Sequence, residues 1–594
     1  MTQKWQTELY ASPLWLLQTL AGVVLVSVLI ILILSKTRFG QQFWHILQPC
    51  LDPKSSVKIM LMIILMVTLL LTEIRLFVLN TFLYNSAYSA LQDKLANVFW
   101  TAVLINAALM LTRSINGIIN NFLDQALAIK WAEKFNQVLV DFWLNGKNYY
   151  RLQKLSHLPD NPDNIDQRIQ QDAQDFIIST IEFVRGMLDS ILSTIQFTVV
   201  LWGLAGVLNI FGLEIPRGIV FIVYIAILLA TAVAMWIGRP LVRSNYDNEK
   251  LNGDYRYSLI RVREHAESIA FYNGEWLEKK QLAQRFQAII KNRWKIARQS
   301  VTLSGFNDIF SQILQLLPLM LQAPRFFAGQ IKIGDMQQTV QSFARLQKAM
   351  SFFRNFYRDF TAYRARLNRL DGFISSMEET TVQTNFPSTH EISDGLALNN
   401  VTLYQNNGKI LLNNISLEAQ AGDSLLINGP SGCGKTSLLR VLAELWPFGS
   451  SGKIHRPALR HILFIPQHAY MPQGTLREAI CYPNIDPQNI NLVDVLCNCR
   501  LGHLIYRLDE TSDWQNLLSP GELQRIAFAR ILLLCPEIIL LDEATSALDE
   551  ETEASLYRLV RLHLPQSIII SIGHRSTLSA FHNKLLTFSP TSSV

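Results

Sequence analysis

At 594 residues the chain is too long for one hydrophobic core, so two or more domains are expected. A hydrophobic fraction of 49% with a positive mean hydropathy is rare in soluble domains and points to a membrane protein. The net charge of +6 is modest and its basic residues sit between apolar stretches, which reads as loop charge at a membrane and excludes nucleic acid as a partner. Five of the six cysteines (Cys433, Cys481, Cys497, Cys499 and Cys535) fall in the last third, Cys50 stands apart, and none forms a CxxC pair. That usage fits reduced thiols in a cytosolic compartment.

The first apolar run, Ser12 to Ser35, is longer than a signal-peptide core and ends in Lys36 and Arg38, so it reads as a retained helix. A spanning helix needs about 20 largely apolar residues. Candidates lie at 13–35, 57–83, 97–119, 187–210, 218–238 and 304–323, and a more polar stretch at 334–356 carries Gln337, Gln338, Gln341 and Arg345. The segments 36–56, 126–186 and 239–303 are rich in Lys and Arg and are expected in the cytoplasm; the short connections between the other span ends carry few positive charges. This alternation requires seven spans, with the N-terminus outside and the C-terminal domain inside, and it closes only if the polar stretch is counted. The two long cytoplasmic segments lack Pro-Gly punctuation and read as helical continuations of the spans.

Glu73 and Arg75 fall inside the second span, where a mid-bilayer charge costs about 2.5–3.5 kcal/mol on the insertion scale. Gln338, Gln341 and Arg345 share one helical face. These five residues are the expected cargo path, with a hydrated interior; bonding between neighbouring helices is the alternative.

The last 200 residues read as a soluble α/β domain. The apolar strand at 423–427 runs into Gly429-Pro-Ser-Gly-Cys-Gly-Lys-Thr436, a strand–GxxxxGK[ST]–helix phosphate loop. Backbone N–H groups around Gly429, Ser431, Gly432 and Gly434 wrap the phosphates of ATP, Lys435 reaches the β- and γ-phosphates, Thr436 ligates Mg²⁺, and Ser437 opens the following helix. About 100 residues on, Ile538-Ile-Leu-Leu-Asp-Glu543 is a buried strand ending in two carboxylates. Asp542 is placed for the Mg²⁺ shell, and Glu543 for the attacking water.

Leu518-Ser-Pro-Gly-Glu-Leu-Gln-Arg525 resembles the ABC signature motif, with Ser519, Pro520, Gly521 and Glu522 at its head; Pro520 stands where many members have glycine. Ser546-Ala-Leu-Asp549 resembles the D-loop, His574 the switch histidine, Gln467 the Q-loop glutamine, which also serves Mg²⁺, and Tyr404 the aromatic that stacks on adenine. The set covers roughly 395–580 in the family's order. The resemblance implies a composite site in which Ser519 and Gly521 of one subunit face the Lys435 site of another, hence a homodimer. In the first half, Asn161-Pro-Asp-Asn-Ile-Asp-Gln-Arg-Ile169 with Asp172, Gly253-Asp-Tyr-Arg256 and Arg263-Glu-His-Ala-Glu-Ser-Ile-Ala270 resemble the SbmA/BacA-like family, related to the peroxisomal subfamily D transporters.

The expected fold is therefore a multidomain membrane protein: an α-helical exporter-type ABC transmembrane domain joined to an α/β P-loop nucleotide-binding domain. The expected divisions are an added N-terminal helix and connector (1–56), a six-helix membrane domain (57–372), a linker (373–393) and the ATPase (394–594). The resemblance implies ATP-driven transport, read as uptake, of a peptide-like or cobalamin-like solute across the bacterial inner membrane, in contact with membrane lipid. Transport of lipids or long-chain fatty acyl groups, and an ATP-gated channel or regulator, are the alternatives. The spans exclude a soluble ABC protein of translation or DNA repair.

Overall fold

Long apolar runs without turn residues give helices that outrun a bilayer. The computed structural model describes residues 4–51, 53–154, 164–210, 213–382, 388–391, 395–483 and 491–588. Contacts divide the chain into Met1–Phe142 with Pro162–Ser375, and Trp143–Asn161 with Ser376–Val594.

The first unit is helical. Its helices are α1 (Lys4–Leu34), α2 (Arg38–Leu47), α3 (Pro53–Gln92), α4 (Ala96–Leu144), then α5 (Asn148–Lys154), which clusters with the second unit, followed by α6 (Ala173–Leu204), α7 (Gly218–Glu264), α8 (Ala266–Tyr272), α9 (Glu275–Phe327) and α10 (Ile333–Val382). A short hairpin, β1 (Val207–Ile210) with β2 (Leu213–Pro216), joins α6 to α7. At 40 residues, α3 is about 60 Å long, twice the hydrocarbon thickness.

Among the described residues five helices are long and apolar enough to cross a membrane: Lys4–Leu34, Val57–Gln92, Ala96–Lys154, Ile165–Leu204 and Gly218–Glu264. The helices expected around 304–323 and 334–356 are present as parts of α9 and α10, but neither is apolar enough to join them. For 304–323, expected as a clear span, the reason is Asn307, Asp308, Gln312, Gln315 and Gln322, which dilute its apolar residues. The expected linker is also more structured than its composition suggests. Helix α10 continues to Val382, and Ser388–Glu391 forms a strand, while 383–387 and 392–394 lie outside the described residues.

Val78, Phe197, Leu201, Val223, Leu314 and Phe343 bring α3, α6, α7, α9 and α10 into one core. Helix α2 is anchored further along α10, at Asp371. His45 Nδ1 lies 2.7 Å from Asp371 Oδ1, and Gln42 Nε2 donates to Asp371 Oδ2 at 2.9 Å. Of the motif starting at Asn161, residues 161–163 lie outside the described residues. Arg168 donates to the Arg369 carbonyl at 2.5 Å and Asp172 pairs with Arg369 at 3.2 Å, tying the approach to α6 onto α10.

Arg75 is not among the residues lining the main cavity of this unit; it is 4% exposed and bonded to α1. Its guanidinium donates to Glu8 Oε2 (2.7 Å), the Glu8 carbonyl (2.6 Å) and Ser12 Oγ (2.9 Å), and lies 5.4 Å from the Trp15 ring centroid. The added N-terminal helix is thus fastened to α3 by a charge that lipid would not accommodate.

The second unit is α/β. A parallel sheet has the order β11–β6–β10–β9–β8, with β6 Ser424–Asn428, β8 Ile462–Ile465, β9 Ile538–Asp542, β10 Ile568–Ile572 and β11 Lys584–Thr587. Strands β9 and β10 are buried along their whole length, as continuous Ile/Leu runs in a two-faced parallel sheet require. A second sheet runs β3–β7–β4–β5 (Ser388–Glu391, Ser450–Arg456, Leu396–Tyr404, Ile410–Ala419). The helices that matter to the site are α11 (Lys435–Leu442), α12 (Pro520–Leu534) and α13 (Glu550–His563).

Glu8→Ala, which strands a buried cation, is expected to destabilise the membrane unit by about 1–3 kcal/mol, and by more than the double change Glu8→Ala/Arg75→Met, which removes both charges. Thermal unfolding in lipid nanodiscs reads the order; a double variant less stable than the single one contradicts it.

Candidate ATPase site

The site is built at the carboxyl ends of adjacent parallel strands, where open α/β sheets bind ligands. Strand β6 feeds the loop Gly429–Gly434, and α11 follows at once. Gly434 caps α11 with φ 99°, a backbone conformation that favours glycine, and a Cβ there would lie 3.1 Å from the Leu412 side chain, a tight contact. The first turn of α11 leaves its N–H groups unbonded within the helix, a ready anion site. Lys435 is 6% exposed, and its Nζ donates to the carbonyls of Gly429 (2.5 Å) and Pro430 (3.0 Å).

Strand β9 delivers the acidic pair. Thr436 Oγ1 donates to Asp542 Oδ1 at 3.0 Å. Burial pushes the Asp542 carboxyl above its ordinary range, against the hydrogen bond from Thr436 and the charge of Arg440, while Glu543 adds to the rise. Glu543 has φ 49°, in the left-handed region that non-glycine residues avoid, and its N–H donates to the Ile572 carbonyl at 3.0 Å. The carboxylate is held from two sides. Gln467 Nε2, beyond β8, donates to Oε2 at 3.0 Å, and His574 Nε2, beyond β10, lies 3.4 Å from Oε1. Three neighbouring strands therefore bring Gln467, Glu543 and His574 to one point. Thr436 and Asp542 form an oxygen pair of the kind hard divalent cations take. No cluster of three or more His, Cys, Asp or Glu suited to a metal occurs among the described residues, so a cation there would share its shell with phosphate and water.

The signature residues form a second group. Ser519 caps α12 in a reciprocal box with Glu522, and Pro520 occupies the first helical turn, where its missing N–H costs nothing. The replacement of glycine by Pro520 thus suits the helix start. Burial would raise the Glu522 carboxyl, but hydrogen bonds from Ser519 and His503 outweigh it and hold it below its ordinary value. Gln524 Nε2 donates to Ser546 Oγ (3.1 Å) and its Oε1 accepts from the Ala547 N–H (2.9 Å). Arg575 donates to the carbonyls of Leu548 (2.7 Å) and Ser546 (3.1 Å). Asp549 caps α13 through the Thr552 N–H at 2.8 Å. Tyr404 is half-buried, and its carbonyl accepts from Trp446 Nε1 at 3.0 Å.

Neither Gln524 nor Arg575 was given a role from the sequence, although Gln524 lies within the signature motif and Arg575 adjoins His574. The segment at Trp143–Asn161 was read only as part of a basic cytoplasmic stretch, with no link to the ATPase. Lys147 donates to the Ala443 carbonyl, just past the end of α11, at 3.0 Å, and its pKa is lowered by burial despite the nearby Glu444.

In the membrane unit Glu73 and Arg345 line a cavity of about 810 Å³. Gln338 and Gln341 are not among its lining residues. Gln338 instead joins helices, accepting from Asn85 at 2.6 Å.

The chain matches the family described as ABC transporter transmembrane region 2 over residues 46–327, and that described as ABC transporter over 412–546. An uncharacterized ABC transporter ATP-binding protein of Haemophilus influenzae is 51% identical over 98% of both chains. The chloroplastic ABC transporter D family member 2 of Arabidopsis thaliana is 32% identical, covering 80% of this chain and 75% of its own. The human lysosomal cobalamin transporter ABCD4 is 28% identical over 92% and 94%. A solved bacterial Atm1-family ABC exporter with ATP bound superposes with TM-score 0.71 at 18% identity, over 89% of this chain and 93% of its own, and shows the shared fold. The chain belongs to the ABC transporters. It carries their transmembrane region and their ATPase in one polypeptide, and it is related to their subfamily D.

Glu543→Gln is expected to retain ATP binding and lose hydrolysis by about 10²-fold or more, since the carboxylate is removed while the phosphate loop is intact. Lys435→Ala should instead weaken nucleotide binding. Nucleotide affinity and phosphate release measured on both variants check this; near-normal turnover by Glu543→Gln contradicts it.

Proposed function

We propose that the chain works as a homodimer that couples ATP hydrolysis to movement of a hydrophilic or amphipathic solute, peptide-like or cobalamin-like, across a bacterial inner membrane, with uptake as the direction. In the ATPase, Lys435 and the loop N–H groups bind phosphate, Tyr404 stacks on adenine, and Glu543 orients and deprotonates the attacking water, with Gln467 and His574 holding its carboxylate. Thr436, Asp542 and Gln467 are oxygen donors that fit Mg²⁺, which would supply charge neutralisation at the phosphates. Ser519 and Gly521 reach the γ-phosphate of the partner's nucleotide.

The observation that carries the cargo reading is the charge in the membrane cavity. Glu73, Glu182, Asp189, Arg185, Arg345 and Lys348 line it together. Arg345 pairs with Asp189 at 2.6 Å and Arg185 with Asp124, whereas Glu73, Glu182 and Lys348 have no ion-pair partner among the described residues. Charges of both signs, some unpaired, suit a hydrated cargo with its own charges better than a hydrocarbon. The relation to a cobalamin transporter and the motifs resembling SbmA/BacA-like proteins support the same reading.

Protein reconstituted in lipid tests it. Cobalamin or a hydrophilic peptide is expected to raise ATP turnover, and Glu182→Ala/Lys348→Ala to abolish the rise while keeping basal turnover. Stimulation by long-chain acyl compounds alone contradicts the reading.

A further inference from the structure

Beside the charged cavity lies a separate slot of about 420 Å³, walled by α1 and α2 on one side and by α3, α4 and α6 on the other. Its lining is almost wholly apolar: Leu47, Ile63, Met66, Leu127, Val184 and Leu188 typify it. Between Ile59 and Leu70 it follows α3 for about 16 Å by helical rise, so it is an elongated space along the helix.

Among the polar residues of the wall, Thr180 bonds Tyr363 and Arg185 pairs with Asp124, while Lys134 and Asn120 stand apart along α4. At one end is Lys134, half-buried, near Cys50, and without a carboxylate partner among the described residues. A half-buried ammonium in an apolar wall favours an anion. At the other end is Asn120, fourteen residues earlier on α4 and so about 21 Å away along the helix. Asn120 is 1% exposed and neither atom of its amide has a partner. Its neighbour Asn121 lines the charged cavity, and Arg185 and Leu70 line both spaces, so the apolar length stops where the hydrated cavity begins.

We propose that the slot holds one acyl chain of an anionic membrane phospholipid, its phosphate head at Lys134 and its chain end toward Asn120. A neutral protein segment would leave Lys134 uncompensated. In the orientation that loop charge predicts, Lys134 lies in a cytoplasmic segment and Ile59 at the cytoplasmic end of the second span, so the head faces the cytoplasm; this step rests on that orientation. The lipid completes the joint between the added N-terminal helices and α4 and α6. It is a bound component distinct from the cargo, whose cavity has a different lining.

Native mass spectrometry of the full-length protein, titrated in detergent with phosphatidylglycerol and with phosphatidylethanolamine of matched chains, tests the proposal. Phosphatidylglycerol should bind about five-fold more tightly, the worth of one lysine near an anionic head. Lys134→Ala should abolish that preference and Lys134→Arg restore it. Val184→Trp, at a position 56% exposed and so tolerant of bulk, should reduce binding of both lipids by filling the slot. Equal binding of the two lipids by the unaltered protein, or a preference that survives Lys134→Ala, overturns the head assignment. Undiminished binding by Val184→Trp overturns the slot. None of these readings involves cargo or ATP turnover, so they stand or fall apart from the transport reading.

Discussion

A triphosphate concentrates negative charge that a protein can meet at close range only with backbone N–H groups and a few cations, and it must do so while a carboxylate stands close enough to act on water. The ATPase unit satisfies both demands by placing them on different strands of one parallel sheet. Strand β6 supplies the phosphate loop, and β9, separated from it by β10, supplies Asp542 and Glu543. Helix α11 follows Gly434, where φ 99° favours glycine and Leu412 lies close. Glu543 takes the opposite course, a non-glycine residue in the left-handed region, held there by its N–H bond to Ile572 and by Gln467 and His574. Strain of this kind persists only where the surroundings over-determine it.

In the membrane unit the governing constraint is that polar groups must be satisfied within the protein. Arg75 meets it with α1, Gln338 with Asn85, and Arg345 with Asp189 and Ser193 Oγ at 3.2 Å. Three residues that look alike as intramembrane polar groups thus have three outcomes: a helix anchor, an interhelical bond and a cavity wall. Only the last leaves charge beside open space, where cargo could meet it.

This difference explains what could be read beforehand. The phosphate loop and the acidic strand were legible because their chemistry is local: fixed spacings of a few residues, between an apolar strand and a helix. The same holds for the long helices, whose apolar runs give them away. For Arg75 the sequence left a cavity and a helix partner open, because Glu8 and Ser12 lie 67 and 63 residues earlier and no pattern within α3 points to them. The weak apolar character of α9 lies in its own composition, where Asn307, Asp308, Gln312, Gln315 and Gln322 dilute an otherwise apolar run, while the continuation of α10 to Val382 runs through a stretch short of large apolar residues. Lys147 beside Ala443 is the extreme case, a contact across 296 positions that joins a segment following α4 to the end of the phosphate-loop helix.

The central claim is that catalysis needs residues from two chains: Lys435, Asp542 and Glu543 from one, Ser519 and Gly521 from the other. The direct measurement is ATP turnover by a purified mixed dimer pairing a Lys435→Ala chain with a Ser519→Arg chain, against each variant homodimer. If the site is shared, the mixed dimer carries both lesions in one site and none in the other, and it should hydrolyse ATP while both homodimers are inactive. Turnover as low in the mixed dimer as in the homodimers, with the mixed dimer shown to assemble and its Ser519→Arg chain shown to bind ATP, would contradict the account.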